Sequence, residues 1–148
     1  MGHDTKYKNV KFLVVDDDVV DIRTIKRGIR KHKISNPVIE ATNGLEALRI
    51  LRGDKHKSAL ESPFIILLDL NMPQMNGIEF LRELRRDRLL KHHIVFILTT
   101  SSDERDLLKA YEKNVAGYIL KSEAGENFMQ LIEMLEKFII TIQFPPKA

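Results

Sequence analysis

The chain has 148 residues, 43% of them apolar, with no cysteine and a formal net charge of +3. Such a length suits one domain whose core needs no staple, and the missing cysteine excludes disulfide scaffolds, thiol catalysis and cysteine-based zinc sites. No apolar stretch approaches the ~20 residues of a membrane span and no signal-peptide pattern follows Met1, so a cytoplasmic protein with no membrane partner is expected.

In chain order, an apolar run over residues 10–15 predicts a first strand, which stops at Asp16-Asp17-Asp18. A helical stretch over 19–33 follows, carrying Arg23, Lys26, Arg27, Arg30, Lys31 and Lys33 with Asp21 interspersed. A later helix repeats the pattern with Arg82, Arg85, Arg86 and Arg88 among Glu79, Glu83 and Asp87. Neither cluster is interleaved with aromatic rings for base stacking, so both read as solvated helix faces and no nucleic-acid partner is expected. Residues 37–41 form a second strand, Asn43-Gly44 opens a helix through Leu45, Leu48 and Leu51, and 53–63 reads as a loop.

A third strand ends with Leu68 and stops at Asp69; a turn over 71–76 containing Pro73 leads into a helix with Ile78, Leu81 and Leu84. The fourth run, 94–98, stops at Thr99-Thr100, after which Ser101 or Ser102 is expected to cap a helix with Asp103 and Glu104 in its first turn. The fifth, 117–120, stops at Lys121. Phe128, Leu131, Ile132, Leu135, Phe138 and Ile139 recur at helical spacing in a last helix, and 143–148 reads as a short tail that terminates the chain.

Strands alternating with helices predict an α/β doubly wound (βα)5 flavodoxin-like fold with a five-stranded parallel sheet in order 2-1-3-4-5. All four polar stops then share the carboxyl edge, where open α/β sheets bind ligands, with Asp16 to Asp18 beside Asp69. Converging carboxylates repel unless a cation lies between them, and hard oxygen donors suit magnesium. Asp69, alone at the sheet centre, is the candidate nucleophile toward phosphorus; Lys121 would neutralise phosphoryl oxygens and Thr99 would donate to one. Any one of these taken singly reads as a capping acid or surface lysine, but four at four strand ends point to a site.

The segments Phe12-Leu13-Val14-Val15-Asp16-Asp17, Leu68-Asp69-Leu70-Asn71-Met72-Pro73-Gln74-Met75-Asn76-Gly77, Leu98-Thr99-Thr100-Ser101 and Gly117-Tyr118-Ile119-Leu120-Lys121 resemble the receiver domain of response regulators. The resemblance implies a receiver over 8–142, a tail over 143–148 and no output domain. It implies that Asp69 is the phosphoacceptor for a phosphohistidine of a sensor histidine kinase. Asp16, Asp17, Asp69 and the Asn71 backbone carbonyl would hold Mg2+, and Lys121 would bind the phosphoryl oxygens. Thr99 and Tyr118 would be the switch, remodelling the face of the fourth helix, fifth strand and fifth helix. The ending Phe144-Pro145-Pro146 resembles single-domain regulators of the phytochrome-associated type, which implies a phytochrome-type kinase as partner.

Met129, Met134 and Ile140 widen the last helix's apolar face, as core or as a subunit contact, and of the two a homodimer through that face is expected. One departure from the family stands at Ser122, where receivers have a cis proline; a non-proline cis bond costs about 3–4 kcal/mol. Asp18 reads as a helix cap or an outer-shell metal group. Asn71 and Ser101, each two residues past a key group, are expected to set the lifetime of the phosphorylated state. The rival reading is an enzyme: Asp16-Asp17-Asp18-Val19-Val20 resembles the nucleophile motif of haloacid-dehalogenase-type phosphatases, with Asp16 as nucleophile. That family needs an acidic motif after the lysine, and here the strand-end acid precedes the threonine. His92-His93 lacks a third ligand nearby, and Met72 and Met75 read as loop packing.

Overall fold

A computed structural model describes residues 9–54 and 63–146, so most of the loop expected over 53–63 lies outside the described residues. The strands are β1 (Lys11–Val15), β2 (Val38–Ala41), β3 (Phe64–Leu68), β4 (Ile94–Thr99) and β5 (Gly117–Leu120). The helices are α1 (Val19–Lys31), α2 (Gly44–Arg52), α3 (Gly77–Arg86), α4 (Glu104–Glu112) and α5 (Met129–Thr141). The sheet runs β2-β1-β3-β4-β5 with every neighbouring pair parallel, as expected.

Alternation along the strands makes two cores. Leu13, Val15, Ile66, Leu68, Val95 and Ile97 pack under α2, α3 and α4. Phe12, Val14, Ile65, Leu67, Phe96 and Leu98 face the other way, against Ile22, Ile25 and Ile29 of α1 and Leu131, Ile132, Leu135 and Ile139 of α5. Every residue of β3 is buried, which is why its sequence is apolar without alternation. β5 is an edge strand and only half-buried along its length.

Local chemistry sets the helix starts. Asp18 caps α1, accepting from Val20 N and Asp21 N; Asn43 caps α2; and Asn76 caps α3 in a reciprocal pair with Glu79. The cap of α4 is Asp103, not Ser101 or Ser102, because its carboxylate reaches Arg105 N at 2.8 Å while Ser101 Oγ is engaged with Asp106. Phe128 is buried but precedes α5: it and Asn127 adopt left-handed backbone, so helical spacing extends one residue beyond the helix.

Two further features differ from expectation. Arg85 is not on a solvated face. Its guanidinium donates to the carbonyls of Lys113 (2.8 Å), Lys91 (2.6 Å), His93 (2.8 Å) and Asn114 (3.1 Å), pinning the end of α3 to the loops before β4 and β5. A planar fork with several fixed donors does this; a lysine could not. The tail also does more than end the chain: Phe144 packs edge-on against Phe138, which packs against Phe96.

His93 stacks edge-on against Phe64, and burial, aided by the neighbouring Arg85 charge, pushes its pKa down to about 4. The unfolded chain therefore binds more protons between pH ~6.5 and about 4, and the stability His93 contributes above pH ~6.5 is lost as pH falls through that window. Urea titrations of the parent and of His93→Leu at pH 7.5 and pH 4.5 check this. The parent should lose more stability than the variant on acidification; equal losses contradict it.

Candidate functional site

The ladder continues past the strand ends and carries the acids with it. Asp16 N donates to Ala41 O at 3.0 Å and Asp69 N to Val15 O at 2.9 Å, so both acids are fixed by backbone and both are buried. Asp17 is exposed beside them, and one carboxylate oxygen from each of Asp16, Asp17 and Asp69 lies within 4.8 Å of the others. Above Asp69 the start of α3 presses directly on the backbone. A Cβ on Gly77 would lie 2.5 Å from Asp69 O and 2.7 Å from Leu70 Cα, a fit only glycine permits.

Each buried carboxylate is divided between backbone and charge. Asp69 Oδ1 accepts from Leu70 N at 2.7 Å and Asn71 N at 3.4 Å, while Oδ2 faces Lys121 Nζ at 3.5 Å. Asp16 Oδ1 accepts from Asp18 N at 2.9 Å, and Oδ2 accepts from Lys121 Nζ at 2.8 Å. Burial pushes Asp16 up to about 6 despite the hydrogen bonds from Lys121 and Asp18, with the Asp69 charge adding to the rise. Burial alone would lower Lys121, yet its hydrogen bonds to Asp16 and Asp21 and the charges of Asp16 and Asp69 carry it above the usual lysine range.

The remaining expected groups lie along one chain of contacts. Thr99 is fully buried, with its Oγ1 accepting from Ser101 N at 3.3 Å. Ser101 Oγ donates to Asp106 of α4 at 2.7 Å, and the Tyr118 hydroxyl donates to Ser101 O at 2.8 Å. Tyr118 is half-buried against the core under α4, and burial raises its phenol. Asn71 is exposed beside Asp69. Lys121 begins a short 3-10 turn, Lys121–Glu123, in which Ala124 N donates to Lys121 O at 3.4 Å.

Three secondary expectations resolve. Asp18 caps α1. Met72 is buried and Met75 packs over Gly44, both as loop packing. His93 is an aromatic-stacked structural residue. One functional candidate was missed: Asp21, whose Oδ2 sits 2.7 Å from Lys121 Nζ. Its helical position reads as an acid among bases, and the detectable signal was its place three residues after the Asp18 cap.

The donors fit a divalent cation. All are hard oxygens, and burial, with the Asp69 charge adding to it, disfavours the charged form of Asp16, a cost that a cation among the carboxylates would offset. A parallel sheet whose carboxyl edge joins such a cluster to a buried hydroxyl and an ammonium offers ligands for a cation beside groups that can neutralise an anionic oxygen.

Comparison with known proteins agrees. The family model described as "Response regulator receiver domain" matches residues 12–133. The chain is 31% identical to Response regulator Rcp1 of Synechocystis sp., over 90% of this chain and 91% of that protein. It is 36% identical to Chemotaxis protein CheY-3 of Vibrio cholerae over 77% of this chain and 82% of that protein. The structure of the phosphorylated cyanobacterial phytochrome response regulator RcpA superimposes with a TM-score of 0.83 at 32% identity, covering 92% of this chain and 98% of that one. The Mn2+-bound form of Rcp1 gives 0.79 at 31% identity, covering 93% and 99%.

The chain belongs to the response regulator receiver domain family. Receivers are the signalling partners of sensor histidine kinases in two-component systems, which sets aside the phosphatase alternative. The geometry differs in the same sense: Lys121 Nζ holds Asp16 Oδ2 at 2.8 Å but stands 3.5 Å from Asp69 Oδ2, so Asp69 is the less tightly engaged carboxylate.

Cation binding should be visible as stability. At a hundredfold excess over Kd a cation that binds only the folded chain adds about 2.7 kcal/mol, which for a domain of this size raises the melting midpoint by roughly 5–10 °C. Differential scanning calorimetry with Mn2+ or Mg2+ checks it, and Asp17→Asn, an exposed change, should remove most of the shift. An undiminished shift in the variant would place the cation elsewhere.

Proposed function

We infer that Asp69 is the phosphoacceptor of a response regulator receiver, taking its phosphoryl group from a phosphohistidine on a sensor histidine kinase. The observation that carries this is Asp69 Oδ2 facing the Lys121 ammonium at 3.5 Å on a carboxyl edge that also holds Asp16 and Asp17. An Asp69 carboxylate oxygen forms the new O–P bond while the donor's P–N bond breaks, its electron pair returning to the imidazole nitrogen. The product is an acyl phosphate, and hydrolysis by water regenerates the carboxylate. Bound Mg2+, held by Asp16, Asp17, Asp69 and the Asn71 carbonyl, supplies neutralisation of phosphoryl oxygens. Lys121 donates to one of those oxygens, and Thr99 to another.

The switch follows from the contacts around Thr99. A phosphoryl oxygen that pulls the Thr99 hydroxyl toward it would stretch the hydrogen bond Thr99 Oγ1 accepts from Ser101 N, and Ser101 is tied to Tyr118 on one side and Asp106 on the other. A change at Thr99 therefore reaches the face of α4, β5 and α5. That face exposes Leu107, Leu108 and Tyr111 on α4 and Ile140 on α5, which supports a partner or a homodimer through it. Similarity to RcpA, a phytochrome response regulator, supports a phytochrome-type kinase as donor.

Phosphoramidate with Mg2+ should add one hydroxylamine-labile phosphate by intact mass spectrometry, and Asp69→Asn should abolish it; light scattering on the same sample should show dimer. Unchanged labelling of Asp69→Asn contradicts the phosphoacceptor, and a monomer at all concentrations contradicts the dimer.

A further inference from the structure

Asp21 stands at the third position of α1, after the Asp18 cap. An acid there usually reaches back to the backbone of the helix start. Glu46 of α2 does so, accepting from Thr42 N at 2.8 Å, and Glu79 of α3 does so, accepting from Asn76 N at 2.9 Å. Asp106, in the same position of α4, reaches only the nearby Ser101 hydroxyl. Asp21 has no such task because the Asp18 N–H is already taken by Asp16 Oδ1 at 2.9 Å. Its carboxylate instead crosses to a residue 100 positions away, Lys121 Nζ, at 2.7 Å.

That contact is the shortest of the three that Lys121 makes, against 2.8 Å to Asp16 and 3.5 Å to Asp69. An ammonium has three donors, and here they meet three carboxylates. Asp16 and Asp69 belong to the cation cluster, whereas Asp21 stands outside it. Lys121 has a long flexible stem, so an anchor that takes no part in cation binding is what keeps its ammonium at the edge. The Lys121 side chain is only 10% exposed and that of Asp21 21%, so solvent screens the pair weakly.

We propose that Asp21 is a positioning residue that tethers the Lys121 ammonium so that its remaining donor points at Asp69 and meets the incoming phosphoryl group. This rests on the phosphoacceptor reading of Asp69. The bond changes are those already given: the O–P bond forms at Asp69 and the donor P–N bond breaks. Lys121 keeps its proton throughout and exchanges only a hydrogen bond.

The test is a double-mutant cycle read by the rate of phosphorylation with phosphoramidate and saturating Mg2+. Asp21→Asn should slow the rate about tenfold, as loss of alignment does, and Asp21→Glu should stay within about threefold of the parent. In a Lys121→Met background Asp21→Asn should add no further slowing, because its effect passes through the ammonium. Independently of the reaction, the Lys121 ammonium should give a protected 1H–15N cross-peak in the parent and Asp21→Glu, lost in Asp21→Asn. An Asp21→Asn rate within twofold of the parent, equal slowing in both backgrounds, or a retained cross-peak overturns the proposal alone. A parent that takes up no phosphate overturns the phosphoacceptor reading, and this proposal with it.

Discussion

The ammonium of Lys121 lies among the carboxylates of Asp16, Asp21 and Asp69, and the rest of the site depends on that arrangement. Buried like charges held close repel strongly, and removing the one buried counter-charge would leave them uncompensated. The contacts join residues 105, 100 and 52 positions apart, so the full set requires β1, α1, β3 and β5 together. The backbone itself fixes the acids: Asp16 and Asp69 are bonded to the ends of neighbouring strands, and Gly77 lets α3 close down over Asp69. Lys121 bridges the gap from the edge strand to the centre.

From the same edge a second set of contacts leads outward. Thr99, Ser101, Tyr118 and Asp106 are linked through three hydrogen bonds from the buried end of β4 to the first turn of α4. Of the α4 residues only Ala110 is buried, so this helix is lightly held by the core and rests on its polar ties. Such an element is suited to a change of position, because few apolar contacts must break when it shifts. The opposite end of the sheet is braced: Arg85 ties the end of α3 to two loops there with four charge-assisted hydrogen bonds. Rigid at one end and adjustable at the other, the fold confines change to the carboxyl edge.

Much of this was legible in the sequence because strand ends are marked by an abrupt change from apolar to polar. Given a flavodoxin-like strand order, the meeting of Asp16 and Asp17 with Asp69 and the place of Thr99 and Lys121 follow from that punctuation and right-handed crossovers. What was not legible concerns the direction of long or engaged side chains. Arg85 has the same helical environment in sequence as Arg82 and Arg86, and only the loops that pass it make it a clamp. Asp21 looks like any first-turn acid until Asp16 is seen to occupy the Asp18 N–H. Asp103 displaced the serines as cap because Ser101 was already committed to Asp106. The packing of Phe144 on Phe138 needs the tail to turn back, for which the local sequence carries no periodic signal.

The most direct measurement locates the phosphate. Borohydride reduces an aspartyl phosphate to homoserine, so a chain treated with phosphoramidate and Mg2+, then reduced and digested, reports the modified position by tandem mass spectrometry. Homoserine at position 69 and at no other aspartate is the predicted result. Homoserine at position 16 or 17, or none at all under conditions where the chain is folded and cation-bound, would contradict the account.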